Sequence, residues 1–552
     1  MSFRFRLGLD LIQFIEVPLR FRPGRVKPSR GFFASEKSVA ILKNWFLLAS
    51  VLSWLSPSLT LLGVEGTRTF RVTATGNTEA SGRLIVFLIS ENSTKLKGAK
   101  PVDGPFWNDP QPLFGTDATL VPSKSITLDD RSDCFPIRPS QLPPGLYRAQ
   151  ARLDTFRSNS SWKREPTNLS SEVVIFEVKK SAESQVIELV LNKVVGEKPL
   201  RQVDGVEWFA VRSELLSKFR GSEVILRAGV VFPKNYNASK KYPVIFEVPG
   251  FGGDHSDAAT RAAPSRSANS IALAQASFRI VLDPEGPNGH TLFADSANNG
   301  PCGQALTQEL IPSLEAKYPM IGQPTARVLK GHSSGGWSTL WLATQYPKTF
   351  GATWSSAPDP VDFRRFQKVN IYSQPNFYLD ADGKDLPSLR SKDQVQMTIR
   401  QESRGEDVLG PDNTSAQQWD SWFAAFGPRN AAGNPTALFD PETGTIDRQV
   451  AETYRQFDLR EIVRKSPETY LPIFRNNIRL ICGTEDSFYL NEAVALLDSE
   501  LQQLGRQPSD NGYVKLVPGD HGSVFSSQAM QAIPGEILEH FKAYGHAVNE
   551  TL

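Results

Sequence analysis

The sequence predicts an α/β protein with a doubly wound, mostly parallel sheet, preceded by an antiparallel β-sandwich domain. From about residue 206 onwards, short apolar runs alternate with segments of helical spacing, which is typical of parallel strands covered by helices. From residue 67 to about 195, apolar residues instead recur at every second position between turns rich in Gly, Pro and Asn. We therefore expect three parts: an N-terminal segment 1–66, a β-sandwich domain 67–195 and an α/β domain 196–552.

The sandwich prediction depends on alternation with a period of two. Examples are the triplets Phe70, Val72, Ala74 and Leu84, Val86, Leu88. A repeat of about 20–50 residues is not apparent, so the sequence does not favour a propeller.

The α/β prediction depends on apolar runs that end in Gly, Pro, Asn or Asp. The predicted strands are 223–232, 242–248, 279–283, 326–329, 351–355, 478–482 and 513–517. The predicted helices are 304–317, 337–346, 490–504 and 533–544.

One connection is unusually long. About 120 residues separate strand 351–355 from strand 478–482, whereas such connections are usually about 2–6 residues. We expect a cap over the ligand site, spanning about 362–475, with helices at 393–402, 417–425 and 446–464. Trp419, Trp422 and Phe423 either line its pocket or belong to its core.

A serine lies where a strand would turn into a helix. Ser333 is the centre of Gly331-His332-Ser333-Ser334-Gly335-Gly336, between the apolar run 326–329 and the predicted helix 337–346. Small residues flank the serine of a nucleophile elbow because the backbone there is strained and crowded. The pattern predicts an acyl-transferring enzyme with Ser333 as nucleophile.

A serine nucleophile needs an imidazole base and a carboxylate that orients it. Strand 478–482 ends in Thr484-Glu485-Asp486, and strand 513–517 ends in a turn that carries His521. In this order of elements, acid and base follow the serine. Of the six histidines, only His521 has the required order and loop. We expect Asp486 as the acid, with Glu485 as the alternative.

An oxyanion hole requires backbone amides that face the developing negative charge. Strand 242–248 ends in Pro249-Gly250-Phe251-Gly252-Gly253, a glycine-rich turn at the place where one donor is expected. The predicted donors are the amides of Phe251 and Ser334, with Gly252 as an alternative to Phe251.

These motifs resemble the Putative esterase family of α/β-hydrolases, which includes esterase D, enterochelin esterases, feruloyl esterases and mycolyltransferases. The resemblance runs from about Ser222 onwards. It rests on VIFEVPGFGG, ADSANNGPCGQAL, GHSSGGWSTLWLATQYP, SAPDPVDF, GTEDSF and GDHGSVF. It implies an α/β-hydrolase fold, the triad Ser333, Asp486 and His521, and oxyanion amides at Phe251 and Ser334. The long segment 357–478 departs from smaller family members.

Several polar residues near these motifs are candidate substrate contacts: His290, Asn298, Asn299 and Asp359. Asp359, together with Asp362, is alternatively a residue that orders the entry to the cap. Neither a metal site nor a cofactor is predicted, because the Cys and His spacing does not suit zinc.

Charge and hydropathy indicate where the protein is located relative to the cell. Net charge is +2, but residues 1–44 contribute +6 from nine Lys or Arg and three acids, so the remainder is −4 and offers no basic surface for nucleic acid. Residues 45–63 carry no charge. Such a run is typical of a signal peptide or a membrane anchor. We expect a secreted or periplasmic protein, with an N-terminal anchor or a buried helix as the alternatives.

The predicted function is a serine esterase that hydrolyses a small-molecule carboxylic ester through an acyl-enzyme. An acyltransferase and a peptidase resembling the prolyl oligopeptidases are alternatives within the same chemistry. About 130 N-terminal residues are too few for the propeller that such peptidases carry. A non-catalytic binding protein with an inert hydrolase-like domain is the alternative of another class.

Overall fold

A computed structural model describes residues 66–546, except 76–78, 122–123, 156–161, 163–165, 181–182, 197–198 and 265–266. All of these residues belong to one compact unit, Gly63–Leu552, so the domain boundary near residue 195 stays a prediction. The predicted signal or anchor segment, 45–63, lies outside the described residues. Among the helices of the described part, none has the length and apolar character needed to cross a membrane.

The first part of the chain forms one nine-stranded sheet. Its strands are β1 (Arg68–Ala74), β2 (Ala80–Ser90), β3 (Leu113–Leu120), β4 (Ile126–Leu128), β5 (Asp133–Phe135), β6 (Gly145–Asp154), β7 (Leu169–Ser171), β8 (Val174–Val178) and β9 (Gln185–Val194). The order is β4-β1-β9-β7-β6-β2-β3-β5, with β8 also paired to β6. Every pair is antiparallel except β1 with β9.

The sheet encloses its own core. Phe70 of β1 and Phe114 of β3 have ring centroids 5.3 Å apart, although four strands lie between β1 and β3 in the hydrogen-bonded order. The sheet therefore folds back on itself around shared apolar residues. Alternate residues of β9, among them Ile187, Leu189 and Leu191, are buried, as the period of two predicts. The division into two packed sheets of a sandwich stays a prediction.

The second part of the chain alternates strands and helices. Its strands are β10 (Val206–Arg212), β11 (Ile225–Val231), β12 (Val244–Val248), β13 (Phe278–Leu282), β14 (Glu285–Gly286), β15 (Gly289–His290), β16 (Asp295–Ser296), β17 (Gly300–Pro301), β18 (Arg327–His332), β19 (Ala352–Ser356), β20 (Pro387–Ser391), β21 (Gln394–Thr398), β22 (Ile478–Gly483) and β23 (Tyr513–Val517).

Its helices cover both faces and fill the long connection. They are α1 (Glu214–Arg220), α2 (Ala258–Arg261), α3 (Ala268–Ala276), α4 (Cys302–Ala305), α5 (Ile311–Lys317), α6 (Ser334–Gln345), α7 (Ile399–Leu409), α8 (Gln418–Phe426), α9 (Arg448–Tyr454), α10 (Leu459–Lys465), α11 (Pro467–Asn476), α12 (Leu490–Gln503) and α13 (Gln528–Ala543). A π-helical turn, Leu306–Leu310, joins α4 to α5, so the single helix predicted over 304–317 has an interruption.

The second sheet has eight strands in the order β10-β11-β13-β12-β18-β19-β22-β23. Only β11 runs against the others. Every residue of β12 and of β19 is buried, because helices cover both faces of the centre of a parallel sheet. This is the α/β-hydrolase-type sheet that the sequence predicts. The turns after β12, β18, β22 and β23 all leave the same edge, where ligand sites of such sheets lie.

The connection between β19 and β22 differs most from prediction. A helix was expected over 393–402, but β20 and β21 form a hairpin there and α7 follows. α7 begins at Ile399 because the Thr398 hydroxyl accepts a hydrogen bond from the Gln401 amide at 3.3 Å. The helix expected over 446–464 is split into α9 and α10. The prediction over 417–425 is confirmed by α8. The role of this connection as a cap stays a prediction.

The break between α9 and α10 has a local cause. The carboxylate of Asp458 accepts hydrogen bonds from the amides of Arg460 at 3.0 Å and Glu461 at 3.2 Å. A side chain that satisfies two amides in this way starts a new helix. Hydrophobic spacing continues across this point and therefore does not reveal the break.

Candidate active site

Ser333 lies in the tight turn between β18 and α6. Its backbone has φ 59° and ψ −128°, a conformation that is unusual for a residue with a side chain. Its amide donates to the Ser356 carbonyl at 3.0 Å, and its carbonyl accepts from Trp337 at 3.0 Å. The turn is therefore held by neighbouring elements in the strained geometry of a nucleophile elbow.

Two glycines of the motif are required by packing. A Cβ on Gly331 would lie 2.2 Å from the Gly335 carbonyl oxygen, and a Cβ on Gly335 would lie 2.1 Å from that of Val248. Backbone atoms cannot give way over such distances, so both positions exclude a side chain. The Gly-x-Ser-x-Gly pattern at this place thus follows from the close approach of β12, β18 and α6.

The acid and the base predicted from the sequence meet in the structure. Nδ1 of His521 and Oδ2 of Asp486 are 2.7 Å apart. The other carboxylate oxygen of Asp486 accepts from the amides of Phe488 at 2.9 Å and Leu490 at 3.3 Å. Because an ionised carboxylate can only accept, Nδ1 carries the proton and Nε2 of His521 is left as a base.

The alternative acid does not occupy this position. Glu485 is exposed, whereas Asp486 is fully buried. The main-chain carbonyl of Asp486 also accepts from Arg390 Nε at 2.9 Å, and the Arg390 amide donates to Ser487 at 2.8 Å. The β20–β21 hairpin therefore supports the acid turn. Sequence reasoning missed Arg390, because its position depends on the β20–β21 hairpin, which was not predicted.

His521 lies beside the nucleophile elbow. Its ring centroid is 4.4 Å from that of His332, the residue before Ser333. The Phe488 ring packs edge-on at 4.9 Å and restricts the imidazole further. Burial, together with the nearby His521 and Lys330, lowers the pKa of His332 to about 3. His332 is therefore neutral, and its Nδ1 is 2.9 Å from the Ser356 hydroxyl.

The glycine-rich turn after β12 lies against Ser333. A Cβ on Gly250 would be 3.3 Å from Cβ of Ser333. The Gly253 amide donates to the Gly250 carbonyl at 3.0 Å, and Gly252 has φ 76°, so Gly250 to Gly253 form a tight turn. Phe251 and Gly252 both lie on it, and the assignment of the donor to Phe251 stays a prediction.

The second predicted donor, Ser334, is the first residue of α6. Its amide therefore belongs to the first helical turn, where amides have no acceptor within the helix and the helix dipole favours negative charge. The Ser334 side chain is fully buried, and its hydroxyl donates to Oδ2 of Asp359 at 2.7 Å.

Asp359 links the elbow to the long connection. Besides Ser334, its Oδ2 accepts a hydrogen bond from Nε1 of Trp422 in α8 at 2.7 Å. The Asp359 amide donates to the Ser333 carbonyl at 3.3 Å. Burial raises the pKa of Asp359 to about 6, against the opposing effects of these two donors. The sequence identified Asp359 as a candidate site residue. It did not indicate the contact with Trp422, because that contact depends on the packing of α8.

The other predicted substrate contacts are buried and bonded to protein atoms. His290 Nε2 donates to the Pro249 carbonyl at 3.0 Å, and its Nδ1 accepts from the Leu292 amide at 3.1 Å. Burial lowers the pKa of His290 to about 4, so the ring is neutral. Asn298 Nδ2 donates to the carbonyls of Ala424 at 3.2 Å and Gly427 at 3.0 Å. Oδ1 of Asn299 accepts from Asn288 at 3.1 Å. Their role as substrate contacts stays a prediction.

Within the described ranges, no cluster of three or more His, Cys, Asp or Glu side chains could hold a metal ion. The three cysteines are free thiols, and burial raises the pKa of Cys134 and of Cys302 to about 12.

The turn after β12 and the turn that carries Ser333 fall within one segment that is similar to a protein family. Residues 226–438 match the family described as Putative esterase. This confirms the family resemblance for that segment, and with it the prediction of an enzyme, a serine carboxylic ester hydrolase. The matched segment includes Ser333 and ends before Asp486 and His521.

Solved structures of similar proteins include three hydrolases. A ferulic acid esterase is 14% identical, with a TM-score of 0.36, and the match covers 60% of this chain and 98% of the other. The fluorophosphonate-binding serine hydrolase F of Staphylococcus aureus is 12% identical, with a TM-score of 0.34 and coverage of 62% and 99%. An S-formylglutathione hydrolase from Agrobacterium tumefaciens is 13% identical, with a TM-score of 0.36 and coverage of 62% and 97%. No curated protein matches the chain.

Proposed function

We propose that the protein hydrolyses carboxylic esters through an acyl-enzyme formed on Ser333. The observation that carries this proposal is the 2.7 Å contact between His521 Nδ1 and Asp486, on turns that leave the same sheet edge as the strained Ser333. An oriented His–carboxylate pair beside an elbow serine is the arrangement that activates a hydroxyl.

In the proposed mechanism, Oγ of Ser333 attacks the ester carbonyl while Nε2 of His521 takes its proton. Asp486 stabilises the imidazolium, and the negative charge on the tetrahedral oxygen meets the amides of Ser334 and Phe251. Collapse of this intermediate expels the alcohol, which takes the proton back from His521. Water then attacks the acyl-enzyme with His521 again as base, and the carboxylic acid and free Ser333 are released.

We assign Asp359 a positioning role in this mechanism. Its carboxylate is bonded to the side chain of Ser334, whose amide is a proposed oxyanion donor, and its amide is bonded to the carbonyl of Ser333. These two contacts join Asp359 to the residues of the elbow, and the third, with Trp422, joins it to α8. Of the two sequence interpretations of Asp359, these contacts favour an ordering residue over a substrate contact.

The direct test combines a fluorophosphonate probe with the hydrolysis of p-nitrophenyl acetate and butyrate. We expect the wild type to be labelled and active, and Ser333→Ala to be unlabelled, with kcat lower by about 10³–10⁶. An unlabelled, inactive but folded wild type would instead indicate a binding protein. Product analysis with an added alcohol separates hydrolysis from transfer, because an acyltransferase forms a new ester in place of the free acid.

We also propose that the protein is exported, because residues 45–63 are uncharged and follow a basic segment. Expression of the full chain followed by fractionation and N-terminal sequencing tests this. A shortened chain outside the cytoplasm supports a signal peptide, and an intact chain in the membrane fraction supports an anchor.

A further inference from the structure

The β20–β21 hairpin presents a cation to the turn that carries Asp486. Arg390 is the last residue but one of β20 and is half-buried. The pairing of β20 with β21 is irregular on both sides of Leu389, between Pro387 and Leu389 and between Leu389 and Arg390. A β-bulge of this kind redirects a side chain, and such bulges are common beside active sites. Because Ser388 and Leu389 are buried, the hairpin is anchored in the protein.

Arg390 makes four contacts with the chain between β22 and the first turn of α12. Its Nε donates to the Asp486 carbonyl at 2.9 Å, and its amide donates to the Ser487 carbonyl at 2.8 Å. Its Nη2 donates to Oδ1 of Asn491 at 3.4 Å. The guanidinium carbon lies 4.5 Å from the centre of the Tyr489 ring, a distance at which a cation is attracted to an aromatic ring. One residue of the hairpin thus contacts both ends of this segment.

The segment that Arg390 contacts has a backbone conformation that needs support. Tyr489 has φ 62° and ψ 18°, in the left-handed region that a residue with a side chain rarely adopts. The Asp486 carboxylate accepts from the amides of Phe488 and Leu490, which lie on either side of Tyr489 in the chain. The direction of the carboxylate therefore depends on the backbone at Tyr489. Arg390 contacts the ring of this tyrosine and the carbonyl of Asp486, so it supports both ends of the arrangement.

Both acceptors of hydrogen bonds from the Arg390 side chain are neutral. One is a main-chain carbonyl and the other is a side-chain amide oxygen. Lys368 provides a contrast, because its Nζ is also near the Tyr489 ring, at 5.1 Å, but it is paired with the Glu492 carboxylate. A guanidinium is planar and has its donors on fixed edges, whereas an ammonium is a point charge. The contacts of Arg390 therefore depend on the geometry of its donors as well as on its charge.

We propose that Arg390 is a positioning residue that keeps the carboxylate of Asp486 in contact with Nδ1 of His521. The inference rests on the ester hydrolysis proposed for Ser333. The carboxylate must keep its direction while His521 takes the proton of the Ser333 hydroxyl and becomes a cation. Arg390 acts through the backbone of Asp486 and not through the substrate. The long connection between β19 and β22 thus takes part in the reaction through one residue of its hairpin.

The first test is Arg390→Met in the intact protein, which removes the donors and the charge of the side chain and keeps an unbranched apolar stem. We expect kcat for p-nitrophenyl acetate to fall by about 10–100-fold, with KM within about twofold of wild type because the substrate is not contacted. The acidic limb of the pH profile of kcat/KM should move to lower pH by about half a unit or more, because the imidazolium of His521 is less stabilised. A residue with only a structural role would lower the melting temperature without moving this limb.

Arg400→Met is the matched control. Arg400 belongs to the same connection, and its guanidinium lies 4.7 Å from the centre of the Tyr378 ring. It pairs with Asp385 at 3.0 Å, so it shares with Arg390 the contact to a tyrosine ring but not the bond to the Asp486 carbonyl. We expect kcat and the pH profile of Arg400→Met to stay within about twofold of wild type. An equal loss of kcat in both variants would overturn the proposal, because it would show a general disturbance of the connection.

Chemical rescue separates donor geometry from charge. Arg390→Ala leaves space for an alkylguanidinium ion, and millimolar ethylguanidinium should raise its kcat about threefold or more. Ethylammonium carries the same charge without the planar donors and should raise kcat less. Wild type and Arg400→Ala should respond to neither ion. Equal effects of the two ions on Arg390→Ala would contradict positioning by the guanidinium donors.

If Arg390→Met fails to fold, Arg390→Lys decides the question. It keeps a cation near the Tyr489 ring and lacks Nε, so we expect the same movement of the acidic limb with a smaller loss of kcat. An unchanged pH profile in a folded Arg390 variant, with Ser333 labelled by the fluorophosphonate probe, overturns the inference and leaves the proposed hydrolysis intact. A folded wild type in which Ser333 is not labelled overturns both.

Discussion

Asp486 shows what single residues contribute to the candidate site. Both oxygens of its carboxylate are bonded, one to the backbone of Phe488 and Leu490 and the other to the imidazole of His521. Glu485, one position earlier, is exposed. Of the two adjacent acids on this turn, the buried one, Asp486, contacts His521 and the other is exposed to solvent.

This difference predicts the effect of two matched substitutions. Asp486→Asn keeps the shape of the side chain but no longer favours the tautomer with the proton on Nδ1. We therefore expect kcat for p-nitrophenyl acetate to fall by about 10⁴. Glu485→Gln, which also neutralises one acid on this turn, should keep kcat within about twofold of wild type. A comparable loss in both variants would show that Asp486 is not the acid.

Asp359 predicts a dependence of stability on pH. Burial raises its pKa from 3.8 to about 6 in the folded protein. Between these values the folded state holds a proton that the unfolded state has released, so raising the pH lowers the free energy of unfolding. The full effect, above about pH 6, is about 3 kcal/mol.

Asp359→Asn removes this titration, because the amide oxygen can still accept from Ser334 and Trp422. We expect the free energy of unfolding of Asp359→Asn to exceed that of wild type by a margin that grows by up to about 3 kcal/mol from pH 4 to pH 7. Urea unfolding at a series of pH values measures it, with Glu485→Gln as control. A margin that does not change with pH would show that Asp359 is ionised throughout.

The strand, turn and helix around Ser333 show what one local element determines. The motif glycines, the positive φ of Ser333 and the start of α6 at Ser334 lie together in residues 331–335, and only the requirement for Gly335 comes from a distant strand, through Val248 of β12. The predicted helix began three residues too late, at Trp337, because Ser and Gly are weak helix formers. Burial of the whole first turn against β12 and β19 overcomes that weakness.

Helix α8 shows how an element of the long connection supports the site. Trp422 packs in the core, with its ring 5.1 Å from Phe366, and bonds to Asp359. Trp341 in α6 is also buried, but its Nε1 has no hydrogen-bond partner in the described part of the protein. The two tryptophans therefore differ in one bond to a carboxylate.

Replacing Trp341 or Trp422 by Phe removes the same atoms in both cases. We expect Trp422→Phe to lower the free energy of unfolding by about 1–3 kcal/mol more than Trp341→Phe, because it removes a donor from a buried acid. The excess should be larger at pH 8, where Asp359 is ionised, than at pH 5. Chemical denaturation at the two pH values measures it. Equal losses for both variants would show that the Asp359 bond contributes nothing to stability.

At the scale of the whole molecule, Arg83 joins the first sheet to the long connection. The Arg83 side chain is 1% exposed. It donates to the carbonyls of Val408 at 3.0 Å and Asp407 at 3.3 Å at the end of α7, and to Asp133 at 2.5 Å in its own sheet. A cation at a helix C-terminus compensates the helix dipole and the unpaired carbonyls of the last turn.

Arg83→Gln should weaken this junction by about 3 kcal/mol. We expect calorimetry to show one cooperative transition for wild-type residues 66–546 and two transitions for Arg83→Gln, as the first sheet and the second sheet unfold separately. Arg131→Gln, at an ion pair whose arginine is 87% exposed, should unfold like the wild type. A single transition with an unchanged midpoint in Arg83→Gln would show that the junction does not depend on this side chain.

Elements that depend on local sequence patterns were predicted more accurately than elements that depend on long-range contacts. Strand 513–517 was predicted with its observed bounds, and helix 490–504 to within one residue. Such elements carry their hydrophobic spacing and their stop signals within a few residues of each other. The hairpin β20–β21 and the break before α10 depend on backbone pairing and on one capping aspartate, and hydrophobic spacing does not record either of them.

The sequence by itself predicted the main strands of the second sheet, the strand, turn and helix around Ser333 and the choice of His521 among six histidines. These follow from residue chemistry and chain order. Only the tertiary structure decided that Asp486 and not Glu485 meets His521, and that Asp359 bonds to Ser334 and Trp422. Each of these contacts joins elements that are distant in the chain. Packing between those elements sets the direction of the side chains, and the neighbouring residues in the sequence do not.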